Sequence, residues 1–162
     1  MTSKEDFCRE IRAHEGAMYA LAHTIVKNDS DACEIISEAI YRAYSNLDSL
    51  KDDKSFKSWI LSIVHNTAVG YIRKNSKVIP LEEVSNVDYK SEESLTTKIS
   101  LRSAVESLSQ PYQTVIVLHY YEDFSISQIS KITGSSQVAV KQQLSRARKQ
   151  LREILKEDFR NE

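Results

Sequence analysis

From Ser125 to Arg152 the chain holds no carboxylate, while Lys141, Arg146, Arg148, Lys149 and Arg152 crowd the second half of that stretch. Gln142 and Ser145 stand among them. These groups bind rather than catalyse. Lys and Arg neutralise phosphates, Arg also grips a guanine edge, and Gln pairs bidentately with adenine. A carboxylate on the same face would be repelled by the nucleic-acid backbone. Lys141, Gln142, Ser145, Arg146 and Lys149 share one side of a helix, and Val140, Leu144, Ala147 and Leu151 share another. A solvated cationic helix face is the plain alternative. What precedes this helix decides between the two.

Ser125 and Gln128 have the spacing of a capping box, which predicts a helix start. Ile126, Ile129 and Ile132 then give that helix one apolar face, Gly134 stops it, and Ser136 is placed to cap the next helix. Helix, short glycine turn, helix is the arrangement that lays a second helix in a DNA major groove. Upstream, Pro111 suits the first position of a helix. The run YQTVIVLHYYEDF is apolar enough for a buried strand, but its length and flanks favour helix.

The rest of the chain bounds the problem. Gly and Pro together number five among 162 residues, so the chain can be mostly helical. Residues 99–162 carry nine basic and seven acidic side chains, whereas the whole chain has net charge −1. Cys8 and Cys33 form no CxxC pair and read as free thiols. The four histidines show no metal spacing, and no Gly-rich phosphate loop or nucleophile motif occurs. No catalytic residue, metal or cofactor is therefore expected. The N-terminus lacks the apolar core of a signal peptide, and no apolar run approaches membrane-spanning length. The expectation is a cytoplasmic protein without direct membrane insertion.

Two helical blocks flank a polar stretch with Pro80, residues 77–98, which reads as a flexible linker. The predicted fold is all-α, with small domains at 1–76 and 99–162. In the first block MYALAHTIV has helical spacing, and Ser30 or Asp31 is available to cap the helix that follows. There Ile36, Ala39, Ile40 and Ala43 can pack inward, with Glu34 and Glu38 on the other side. Phe56, Trp59, Ile60, Ile63, Val64 and Ile72 form a long apolar stripe in the third helix.

The first block, MYALAHTIVKNDSDACEIISEAIYRAYSNLDSLKDDKSFKSWILSIVHNTAVGYIRKN, closely resembles the second conserved region of bacterial extracytoplasmic-function sigma factors, in the sigma-70 family. AVESLSQPYQTVIVLHYYEDFSISQISKITGSSQVAVKQQLSRARKQLREIL resembles their fourth region, in the right order. The resemblance implies a transcription initiation factor that binds core RNA polymerase and promoter DNA and helps open the duplex. It implies that helix 31–45 docks on the polymerase clamp through Asp31, Glu34, Ser37, Glu38 and Arg42. The loop 46–58 and the next helix would read the minus-10 element, with Leu50 in the loop, Asn66 facing an unstacked base, and Arg73 and Lys74 on phosphate. Trp59 is expected in the core rather than against a base. Lys141, Gln142, Ser145 and Arg146 would face the minus-35 groove, with Arg148 and Lys149 on phosphate. Family precedent adds a membrane-anchored anti-sigma factor, in an envelope-stress type response, that would clamp two otherwise mobile domains.

Ser37, Gly70, Ser135 and Gln143 depart from the usual family residues, so no promoter consensus follows. Two rivals differ in class. One is a DNA-binding regulator that never joins polymerase, which leaves the first block unexplained. The other is a protein-interaction adaptor that uses the fold without opening a promoter.

Overall fold

The computed structural model describes Met1, residues 3–76 and residues 101–160, with side chains described to residue 157. The expected linker at 77–98 lies outside the described residues. Within them seven α-helices occur and no strand. They are α1 (Lys4–Val26), α2 (Asp29–Ser45), α3 (Phe56–Asn75), α4 (Leu101–Glu106), α5 (Tyr112–Ile116), α6 (Ile126–Thr133) and α7 (Gln137–Arg160).

Local chemistry sets their ends. Ser3 caps α1 by accepting from the Asp6 N–H at 3.1 Å, with Glu5 and Asp6 in the positive first turn. Lys27 ends α1 in the left-handed region at φ 66°, and Asn28, fully extended, opens α2 by accepting from the Asp31 N–H at 2.8 Å. The cap is thus Asn28, not Ser30 or Asp31, because the chain leaves the left-handed Lys27 and enters α2 two to three residues earlier than expected. On α2 the buried face is Ala32, Ile35, Ala39 and Ala43, with Ile36 and Ile40 on its flank. On α3 the core takes Phe56, Ile60, Leu61, Val64 and Ala68. Ile72, expected in that stripe, is 42% exposed and lines a crevice with Ile25, Val69 and Pro111 instead of entering the core.

The ambiguous apolar run is helical: α5 continues into a π-helical turn over Val117–Tyr121 that buries Val117 and Leu118. The capping box at α6 is complete, with Ser125 Oγ accepting from the Gln128 N–H at 3.1 Å and Gln128 Oε1 accepting from the Ser125 N–H at 2.9 Å. Gly134 closes α6 at φ 76°, a conformation that costs glycine nothing. Ser136 Oγ then accepts from the Ala139 N–H at 3.1 Å to start α7.

The two blocks are not separate. α3 packs on α6 and α1 on α5, so one apolar cluster runs from Phe7 to Ala147. Polar ties cross the seam: the Gln110 amide donates to the Thr24 carbonyl at 2.7 Å, and Lys27 donates to the Gln113 side chain. Lys57 meets Glu122 at 2.9 Å and lies over the Phe124 ring at 5.2 Å. The two helical blocks thus lie against each other in this structure.

Candidate nucleic-acid and polymerase interfaces

α7 presents the face that its sequence predicts. Val140, Leu144 and Ala147 are buried against the preceding helices, which leaves Lys141, Gln142, Ser145, Arg146 and Lys149 exposed. Arg148 points elsewhere. Its Nε donates to the Tyr120 hydroxyl at 2.7 Å, and its guanidinium lies 5.8 Å from the Tyr120 ring centre. It therefore belongs to a second surface, an apolar groove of about 580 Å³ between α4, α5 and α7. Leu101, Val105, Tyr120, Tyr121, Leu151 and Leu155 line it, with Arg152 at the rim. Sequence reasoning missed this groove. The signal was present in Leu101–Val105 and Leu151–Leu155, two i,i+4 apolar pairs.

On α2, Glu34, Ser37, Glu38 and Arg42 are all exposed. A groove of about 370 Å³ runs between α2 and α3, lined by Glu34, Glu38, Arg42, Gly70, Tyr71 and Lys74 among others. Glu38 accepts from Arg42 Nε at 2.9 Å, an exposed i,i+4 pair worth only about 0.3–0.5 kcal/mol, so a partner can exchange it. Asp31 is different. Its carboxylate accepts from the Tyr71 hydroxyl at 2.7 Å and from the Asn28 amide at 2.6 Å. Those bonds tie α2 to α3 and to its own cap, so Asp31 serves the fold rather than the exposed set. The Asp31 bond and then burial push the Tyr71 phenol above its ordinary range, so it stays a neutral donor.

The loop between α2 and α3 is built of two short turns, Leu47–Ser49 and Asp53–Ser55. Leu50 is half-buried and packs on the core instead of projecting. Asn66 is exposed on α3 and lines a crevice of about 360 Å³ that the loop closes on one side. Trp59 also lines it, half-buried, and its indole N–H donates to Ser49 Oγ at 3.0 Å. Trp59 is thus not a buried core residue. Arg73 and Lys74 are exposed in the last turn of α3, where the helix dipole favours cations. Lys74 faces the α2–α3 groove.

Beside the seam, His65 lines a second crevice with Ile25, Val69, Gln110, Thr133 and Gln143 among others, and none of its lining residues is charged. The buried His65 Nδ1 has no hydrogen-bond partner. Burial pushes the imidazole below its ordinary pKa, against a smaller opposite effect of Asn66. No group of side chains among the described residues could hold a metal, and no described helix is long and apolar enough to cross a membrane.

Comparison with known proteins gives these surfaces a family. Residues 11–78 match the description "Sigma-70 region 2", and residues 98–151 match "Sigma-70, region 4". The chain is 32% identical over 152 residues to the RNA polymerase sigma factor SigV of Bacillus subtilis, covering 92% of this chain and 91% of that one. It is 26% identical to the ECF RNA polymerase sigma factor SigW of the same organism, covering 95% and 91%. In fold it resembles the sigma factor RpoE solved with the anti-sigma factor NepR from Bartonella quintana, at TM-score 0.73 and 23% identity over 94% of this chain and 98% of that one. It also resembles CnrH solved with the cytosolic domain of CnrY, at TM-score 0.68 and 20% identity over 97% and 92%. With both conserved regions matched in order and a relative above 30% identity along nearly its whole length, the chain belongs to the extracytoplasmic-function sigma factors of the sigma-70 family, the factors of transcription initiation.

Proposed function

We propose that residues 1–76 bind core RNA polymerase and the minus-10 element while residues 99–162 bind the minus-35 element. The observation that carries this reading is the acid-free, exposed face of α7 held up by a capped helix-turn-helix. Lys141, Gln142, Ser145 and Arg146 read bases, and Lys149 contacts phosphate. Arg148, committed to Tyr120, leaves the phosphate set and joins the apolar groove, which suits an amphipathic helix of a protein partner. Glu34, Ser37, Glu38 and Arg42 form the polymerase contact on α2, without Asp31. Leu50 shapes the loop from beneath, Asn66 faces the unstacked base, and Arg73 and Lys74 meet the backbone.

The reading places the protein in the cytoplasm, without direct membrane insertion. It includes control by an anti-sigma factor anchored in the membrane, in an envelope-stress type response. One solved structure of the same fold, the sigma factor RpoE with the anti-sigma factor NepR, supports the anti-sigma part, and CnrH is likewise solved with a protein partner, the cytosolic domain of CnrY.

The test is co-elution with purified bacterial core polymerase on a sizing column. The wild-type chain should co-elute, and Glu38→Lys should weaken the complex by replacing an exchangeable acid with a like charge to its partner. A folded chain that does not co-elute would return the protein to an independent DNA-binding role.

A further inference from the structure

The crevice beside Asn66 has a loop wall fixed by a chain of bonds. Trp59 Nε1–H donates to Ser49 Oγ at 3.0 Å, the Ser49 hydroxyl donates to the Asn46 carbonyl at 2.8 Å, and the Asn46 amide donates to the Arg42 carbonyl at 2.9 Å. Ser49 thus accepts from one side and donates to the other, which fixes its rotamer. The Trp59 ring leans on Phe56 at 5.6 Å, and Phe56 is buried in the core. A rigid aromatic therefore joins the core to the 46–49 turn through a single N–H.

Packing alone does not call for tryptophan at this place. A phenylalanine would cover the same apolar neighbours, and the indole N–H of a half-exposed ring could be satisfied by water. Spending it on Ser49 holds the turn over the crevice. The crevice offers neutral hydrogen-bonding groups from Asn46, Ser49, Ser62 and Asn66, and its one charge, Arg42, is already paired with Glu38. Neutral donors and acceptors suit the edge of a nucleobase better than a phosphate.

We propose that Trp59 is a positioning residue for minus-10 recognition, its bond to Ser49 holding the loop wall in the shape that lets Asn66 read an unstacked base. The proposal rests on the minus-10 reading given above. A wall already in place avoids ordering the loop when the base arrives, so the bond acts on discrimination more than on total grip.

The experiment uses the chain assembled with core polymerase and a promoter library randomised at the minus-10 positions, with enrichment of each base read by sequencing. Trp59→Phe removes the N–H and keeps a ring, Ser49→Ala removes the acceptor, and Ser49→Thr keeps it. Trp59→Phe and Ser49→Ala should each flatten base preference by about two- to tenfold, the range of one hydrogen bond. The double variant should be no flatter than either single one, and Ser49→Thr should restore the preference. Polymerase co-elution and minus-35 duplex affinity should not change. Full preference in both Trp59→Phe and Ser49→Ala, while Asn66→Ala loses it, overturns the positioning role alone. Full preference in Asn66→Ala as well overturns the minus-10 reading beneath it. A uniform loss across all sequences with weakened polymerase binding assigns Trp59 to the fold and also overturns the proposal.

Discussion

Arg148 and Lys149 are adjacent, equally charged and both exposed, yet Arg148 is held by Tyr120 and the function proposed above gives the two different work. Each phosphate that a cation neutralises adds about 0.9 to the slope of log affinity against log salt. Over a fourfold rise in salt, one such contact is worth about 3.5-fold in affinity. Lys149 meets no carboxylate or hydrogen-bond partner among the described residues, so Lys149→Ala should flatten the slope by about 0.9. Arg148 is held by the Tyr120 hydroxyl at 2.7 Å and by its ring, so Arg148→Ala should leave the slope unchanged. The assay is binding of the polymerase holoenzyme to a minus-35 duplex at 50 and 200 mM salt, where the two variants should differ by about 3.5-fold in salt response. Tyr120→Phe serves as a further probe, because it releases the guanidinium from its hydroxyl partner without moving the helix. Equal flattening in Arg148→Ala and Lys149→Ala would refute the division of labour, since it would mean that Arg148 leaves Tyr120 for the DNA.

Gly134 and Gly70 should respond to alanine with opposite signs in a denaturant titration. A Cβ at either meets nothing within 4 Å, so only the backbone counts. Gly134→Ala, at φ 76°, should cost about 1–2 kcal/mol, and Gly70→Ala, inside α3, should gain up to about 1 kcal/mol. His65 makes the packed form sensitive to acid. Its pKa is lowered by burial, so its contribution is complete above the free value near 6.5 and is lost as pH falls through the depressed value. Thermal unfolding followed from pH 7.5 downward should fall less steeply for His65→Gln than for the wild type, and matching profiles would disprove the assignment.

The helix-turn-helix was legible because every signal in it is local. The Ser125–Gln128 box, Gly134 and the Ser136 cap act within four residues of themselves, and each appears where the sequence puts it. The exposed face of α7 follows from periodicity alone. What escaped depends on partners far along the chain. Asp31 looks like an acid at a helix start until Tyr71, forty residues on, takes its carboxylate. Arg148 looks like one more cation until Tyr120 claims it. Trp59 has the composition of a core residue, and its N–H partner sits on a loop whose path the sequence does not draw. The seam escaped for the same reason: an apolar residue on α3 does not announce whether α2 or α6 will cover it.

The packing of α3 on α6 sets a length scale. A compact chain of this size has a radius of gyration of about 15 Å and measures roughly 40 Å across. Elements centred at promoter positions minus 35 and minus 10 lie about 85 Å apart along duplex DNA, at 3.4 Å per step. On the function proposed above, one molecule of that width can hold both elements only with the seam undone. Affinity for a full promoter is then the intrinsic affinity multiplied by the fraction of molecules that are open. Every 1.4 kcal/mol that Gln110–Thr24, Lys57–Glu122 and their apolar neighbours add to the closed form lowers it tenfold, without a single change on the DNA-facing side chains.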